Sequence, residues 1–186
     1  MTRLVILDRD GVINQDSDDF IKSPEEFVPL PGSLEAIARL NAAGYRVAVA
    51  TNQSGIGRGL FDRATLTAIH QKLETLLSET GGRLDALAYC PHTPEDGCEC
   101  RKPKPGLLRQ ISQELKTDLT GVPVIGDSLR DLESAQAVGA APMLVRTGKG
   151  ERTLAQLAEA PGLADVPVFT DLAEAVDALL AGAVNV

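Results

Sequence analysis

Tryptophan is absent and aromatic residues make up only 3% of the 186-residue chain, so the interior must be built from Leu, Val, Ile and Ala. Long hydrophobic runs are missing too. The longest, Ala137 to Val145, holds nine residues and is interrupted by Gly139 and Pro142, far short of the ~20 that cross a bilayer. No basic stretch followed by an apolar one opens the chain, so neither a secretory leader nor a membrane partner is expected. Positive charge is in deficit: 18 Lys and Arg against 26 Asp and Glu leave a net charge of −8. That balance argues against a nucleic-acid partner. An anionic ligand must instead be held by local cations, backbone N–H groups or a metal. Cysteine is scarce at three, an odd count without a leader, which speaks for reduced thiols in the cytoplasm rather than a disulfide framework.

What is present is ordinary for a globular chain. An apolar fraction of 44% and this length suit one domain spanning residues 1–186 with a single sizeable core. Short apolar runs alternate with amphipathic helical patterns. Strands are expected at Arg3–Leu7, Tyr45–Ala50, Leu84–Tyr89, Pro123–Ile125 and Met143–Val145, apolar on both faces as buried parallel strands are. Helices are expected at Ser33–Asn41, from an Asp62 cap to Gly81-Gly82, and at Gly106–Leu115, Arg130–Val138, Thr153–Glu159 and Leu172–Leu180. Alternation of this kind gives right-handed βαβ units and a parallel sheet covered on both faces, an α/β fold. Two stretches stay irregular, Asn14–Leu30 and Pro91–Pro105, and long loops in compact domains are usually functional. Ligands of such sheets bind beyond the carboxyl ends of the strands. The polar residues there are Asp8, Thr51, Cys90 and Asp127.

Asp8 and Asp10 lie two apart at a strand end, a costly pairing unless a cation or hydrogen bonds compensate it. Alone it reads as a turn. Its companions are Thr51-Asn52-Gln53-Ser54-Gly55, suited to phosphate oxygens, Lys102 as a fixed positive charge, and Gly126-Asp127-Ser128-Leu129-Arg130-Asp131, with carboxylates for a hard cation. A second group is Cys90-Pro91-His92 followed by Cys98-Glu99-Cys100, four soft or imidazole ligands that match a closed tetrahedral zinc site within residues 90–100. Arg101 and Lys102 follow it directly, so a pinned loop would also fix them. His70 reads as a structural residue of the long helix.

The ordered set Asp8/Asp10, Thr51, Lys102 and Asp127/Asp131 resembles the haloacid dehalogenase superfamily. The resemblance implies a Rossmann-like three-layer sandwich, a Mg²⁺ ion and an aspartyl-phosphate intermediate. Asp8 is then the nucleophile and Asp10 the general acid and base. Asp8, the main-chain carbonyl of Asp10 and Asp127 hold Mg²⁺, while Thr51 and Lys102 hold the transferring oxygens. Asp131 holds a metal-bound water or Lys102, or only caps a helix. With the Cys90, His92, Cys98 and Cys100 zinc loop, the chain looks most like the heptose 1,7-bisphosphate phosphatases and the related histidinol-phosphate phosphatases. Those enzymes lack a cap domain, which leaves substrate recognition to Asp16, Ser17, Asp18, Asp19, Asn52, Gln53, Ser54, Arg101 and Ser128. The acidic run from Asp16 reads equally as sugar-hydroxyl ligands or as a solvated turn. A monomer acting on a small phosphorylated sugar is the expectation, histidinol phosphate the alternative substrate. A binding module on a dead fold would need a motif residue missing, and none is.

Overall fold

Val5 and Leu7 bury themselves on one face of the first strand, β1 (Arg3–Leu7), and Leu4 and Ile6 on the other. A strand apolar on both faces belongs in the middle of a covered sheet, and there it lies. The computed structural model describes residues 3–184. Beside β1 run β2 (Tyr45–Asn52) and β3 (Ala86–Cys90) on one side, and β4 (Pro123–Gly126), β5 (Ala141–Val145) and β6 (Val168–Phe169) on the other. The order is β3-β2-β1-β4-β5-β6, all parallel, with Val5 level with Val47 and Leu7 with Ile125.

Helices cover both faces, as expected. Ile37 and Leu40 of α1 (Ser33–Ala42), Ile69, Leu73 and Leu77 of α2 (Arg63–Glu79), and Leu172 and Val176 of α6 (Leu172–Leu180) share a core with Val5, Leu7, Val47 and Val49. Leu107, Leu108 and Ile111 of α3 (Gly106–Leu115) and Ala135 of α4 (Leu129–Ala137) close over Leu4, Ile6, Ala48 and Val124. Asp62 caps α2 by accepting the N–H of Thr65 at 2.8 Å.

Two elements depart from expectation by more than a boundary shift of one or two residues. The helix expected over Thr153–Glu159 is instead α5 (Gly150–Leu154), followed by a 3-10 turn at Leu157–Glu159. Its start moves back because the Thr153 hydroxyl donates to the carbonyl of Asp127 at 2.7 Å, inside the helix rather than at its cap. β6 was not expected, and its two residues are too short to show a strand period.

The chain runs outward from β1 in both directions, so the crevice between β1 and β4 is the topological switch point where ligands of open α/β sheets bind. The two irregular stretches arch over this end. Lys72 of α2 pins the first by donating to the carbonyls of Pro24 and Phe27. The second is tied to β2 where Asn52 Oδ1 accepts the backbone N–H of Lys102 at 3.0 Å.

Candidate active site

Asp8 continues β1, and its backbone N–H still donates to the carbonyl of Ile125 at 3.0 Å. Across the crevice, Asp127 continues β4. Gly11, at a φ of +83°, has no room for a side chain here, since a Cβ would lie 2.0 Å from the Asp127 carboxylate. Carboxylate oxygens of Asp8, Asp127 and Asp131 fall within 4.8 Å of one another.

Only one of these three acids has a full counter-charge. Lys102 is 4% exposed, and its ammonium donates to Asp131 at 2.6 Å, Asp8 at 3.0 Å and the carbonyl of Ala50 at 2.8 Å. Burial works against that ammonium, yet Asp131 and Asp8 outweigh burial and hold it protonated. Burial also works against the Asp131 carboxylate, and Lys102 more than offsets it, so Asp131 stays ionised. Asp131 both grips Lys102 and caps α4, accepting from the N–H and hydroxyl of Ser128 at 3.1 and 2.9 Å. Asp8 and Asp127 fare differently. Burial, with the neighbouring carboxylates adding to it, pushes Asp8 up to about 7 and Asp127 up to about 9. Two buried acids facing each other in this way form a donor set for a hard divalent cation.

Asp10 is held apart from that trio. Its Oδ1 accepts from Arg9 Nη2 at 2.7 Å, Arg9 Nε at 3.1 Å and the Asn14 amide at 2.9 Å, while among the described residues Oδ2 accepts only from the Gln53 amide at 3.1 Å. Burial raises its affinity for a proton, but Arg9 and these amides bring it below the usual carboxylate range.

Asp8, Asp10 and Lys102 face one cavity of about 280 Å³. Of the expected substrate residues, Asp16, Ser17, Asp18, Asn52, Gln53, Ser54, Arg101 and Ser128 line it. Asp19 is not brought in: it is exposed, and its carbonyl accepts from Lys22. Thr51 stands behind the lining, buried, with its hydroxyl accepting from Gln53 at 2.9 Å. Asn52 also clamps the backbone of Lys102, accepting its N–H at 3.0 Å and donating to its carbonyl at 3.2 Å.

The cavity also has cations that the sequence reading passed over, Arg58, Arg130 and Lys149. Lys149 pairs with Asp16 at 2.7 Å. Burial followed by repulsion from Arg130 and Arg58 lowers the Arg101 guanidinium below its usual range, and all three arginines line the same cavity. Arg130 could have been found inside the Gly126-to-Asp131 motif. Lys149 follows the carboxyl end of β5, beside β4.

The thiols converge as well. Cys90 and Cys98 sulfurs lie 3.6 Å apart, Cys98 and Cys100 3.6 Å, and Cys100 and Cys90 2.9 Å. Two sulfurs each ~2.3 Å from a tetrahedral zinc would be ~3.7 Å apart, so the two separations from Cys98 fit that metal, and Cys90 and Cys100 would have to part to admit it. Burial pushes the Cys90 thiol up to about 12, whereas at Cys98 burial is outweighed by the backbone N–H of Arg101 and the neighbouring thiols, which favour its thiolate. His92 is not within this group. Its ring is 3.8 Å from Asp96.

Sheet order, switch point and a lysine bridging the acids after β1 and β4 define a haloacid-dehalogenase-like hydrolase. Comparison with known proteins narrows this. A family profile described as polynucleotide kinase 3 phosphatase matches residues 3–129, and one described as HAD-hydrolase-like matches residues 99–175. The D-glycero-β-D-manno-heptose-1,7-bisphosphate 7-phosphatase of Bordetella bronchiseptica is 60% identical over 83% of this chain and 86% of its own. That of Pseudomonas aeruginosa is 56% identical over 95% and 97%. A crystal structure of the B. bronchiseptica D,D-heptose 1,7-bisphosphate phosphatase with magnesium and phosphate matches at a TM-score of 0.92 and 56% identity, covering 97% of this chain and 99% of that one. The chain belongs to the family of D-glycero-D-manno-heptose 1,7-bisphosphate phosphatases.

Proposed function

We propose that this chain hydrolyses the 7-phosphate of D-glycero-D-manno-heptose 1,7-bisphosphate, leaving the phosphate at C1. One observation carries the reading. A single cavity is lined both by Asp8 against Lys102 and by Arg58, Arg101 and Arg130, charges enough for a substrate phosphorylated at both ends. Relatives of that name at 56–60% identity support it. Histidinol phosphate, with one phosphate, leaves the arginine cluster without a partner.

Asp8 attacks phosphorus, forming a carboxyl–phosphate bond as the bond to the sugar oxygen breaks. Oδ2 of Asp10, with one donor where Oδ1 has three, gives its proton to the departing oxygen. Arg9 keeps Asp10 ionised in the free protein; the substrate's phosphate arriving beside it raises its proton affinity, and Asp10 takes up one proton from solvent before the leaving group departs. Asp10 then takes a proton from the water that attacks phosphorus, releasing inorganic phosphate and regenerating Asp8. Lys102 holds the phosphoryl oxygens, and Thr51, behind the lining, anchors the Gln53 amide beside them. Asp8, Asp127 and the carbonyl of Asp10 would hold Mg²⁺, whose charge offsets the repulsion between carboxylate and phosphate. Cys90, Cys98 and Cys100, with His92 turned away from Asp96, would hold a structural Zn²⁺, and His92 is 44% exposed and has room to turn. A sugar bisphosphate, with both phosphates ionised, does not cross a bilayer unaided, which supports a cytoplasmic enzyme serving nucleotide-heptose synthesis for the envelope.

The test is phosphate release from heptose 1,7-bisphosphate and histidinol phosphate by the wild type and by Asp8→Asn. Preference for the bisphosphate and loss of turnover in the variant are expected. Full activity in Asp8→Asn, or preference for histidinol phosphate, overturns the reading.

A further inference from the structure

Arg9 lies between Asp8 and Asp10, fully buried, and the mechanism above gives it no contact with substrate. The alternation that sends Val5 and Leu7 to the α2 side of the sheet carries Arg9 the same way. Its guanidinium sits 5.8 Å from the Phe27 ring centroid, with Asp10 as its ion-pair partner at 2.7 Å. One edge of the fork, Nε and Nη2, faces Asp10 Oδ1, and Nη1 lies 3.1 Å from Nε2 of His70.

Arginine has only donors, so Nε2 of His70 must offer its lone pair, and the ring is the neutral tautomer with its proton on Nδ1. The surroundings enforce this: burial first, and then the charge of Arg9, push His70 down to about 3. His70 sits on α2, whose neighbouring Ile69 and Leu73 are fixed in the core. The contacts thus run from a rigid helix through an imidazole and a guanidinium to one oxygen of Asp10.

We infer that His70 is a positioning residue for Asp10: by accepting from Arg9 it aims the guanidinium fork at Oδ1 and leaves Oδ2 to exchange protons in the cavity. The inference rests on Asp10 acting as general acid. A fork without its far anchor can rotate about the Asp10 contact, and a shift of ~1 Å at a reacting group costs on the order of a hundredfold in rate. The cost falls on leaving groups that need a proton and spares those that depart without one.

Three variants test it: His70→Gln, whose amide oxygen can take the place of Nε2, His70→Asn, whose shorter amide cannot, and His70→Leu. Each is assayed for kcat/KM with heptose 1,7-bisphosphate and with p-nitrophenyl phosphate, whose leaving group departs unprotonated, with thermal unfolding measured alongside. His70→Leu and His70→Asn are expected to lose ~10- to 100-fold with the bisphosphate and under about threefold with the aryl ester, and His70→Gln to recover most of the loss. Should His70→Leu fail to fold, the Gln and Asn pair, both polar and of similar size, carries the comparison. Equal losses on the two substrates, or equal rates for Gln and Asn, overturn the inference. Asp10→Asn serves as reference. If it too shows no dependence on leaving group, the general-acid reading has failed. If it shows the dependence and the His70 variants do not, only the role of His70 has.

Discussion

Replacing Lys102 by Met keeps most of the side-chain length and removes the charge, which separates what Lys102 does for the fold from what it does for the reaction. Among the described residues its ammonium is the only cation hydrogen-bonded to Asp131, which is 2% exposed, and one of two donors to Asp8. Deleting one member of a buried ion pair costs ~3–5 kcal/mol, because the remaining charge stays desolvated. For a chain of this length each kcal/mol lowers Tm by ~2–4 °C, so a fall of ~6–20 °C is expected. Turnover should fall ~100- to 1,000-fold, the usual loss when a donor to a transferring oxygen is removed. The assay is thermal unfolding and kcat/KM for Lys102→Met, Asp131→Asn and the double variant. Neutralising Asp131 removes the stranded charge, so the double variant should regain much of the lost Tm while staying as inactive as Lys102→Met. No recovery of Tm would refute the ion-pair argument. Turnover within tenfold of wild type in Lys102→Met would refute the catalytic one.

Cys98→Ser should abolish zinc copurification and lower kcat/KM through Arg101 and Lys102, which adjoin Cys100, while leaving Mg²⁺ affinity nearly unchanged; elemental analysis with Mg²⁺ titration of activity checks it, and normal kinetics in zinc-free protein would reject it. Asp8 and Asp127 have folded pKa values near 7 and 9 against an ordinary 3.8, so between about pH 4 and 9 the ion-free folded state keeps protons that the unfolded chain releases, and its stability falls as pH rises. Mg²⁺ competes with those protons and should raise Tm more at pH 8 than at pH 5, and an equal shift at both would count against a site at these two acids. Arg130→Ala should raise KM for the bisphosphate about tenfold, or about 1.4 kcal/mol, and leave KM for heptose 7-phosphate unchanged, whereas equal losses would exclude a clamp on the second phosphate.

The sheet and the acids beside it were legible because both follow short-range rules. Val5 and Leu7 against Leu4 and Ile6 declare a strand buried on two faces, and the residue closing such a strand is bound to reach the switch point. Residues that meet only through the tertiary fold were not legible. Arg58 and Lys149 are 91 positions apart and face one cavity because β2 and β5 flank the central pair of strands. His70 is separated from Arg9 by 61 positions, and without that contact it reads as one more residue near the core. Asp19 and Asp18 are indistinguishable as letters, yet the turn at Ser17 sends one to the cavity and the other to solvent. Arg9 escaped notice for the opposite reason: a charged residue between two site aspartates looks like a solvent-facing one, and only its burial shows otherwise.

β1 is hydrogen-bonded along both edges, to β2 and to β4, and that anchorage reaches the backbone N–H of Asp8. Amides held this way exchange with solvent only when the whole domain opens. Lys102 and Arg101 arrive instead on a stretch outside any strand or helix, held by the Asn52 clamp and the three converging thiols. The site is therefore half permanent and half conditional. Its nucleophile persists for as long as the protein is folded, while Lys102 and Arg101 are lost to any local opening of that stretch, which needs less free energy than opening the sheet. On heating or on loss of zinc, turnover should stop several degrees before the sheet melts, with β1 still protected and the segment around Lys102 already exchanging.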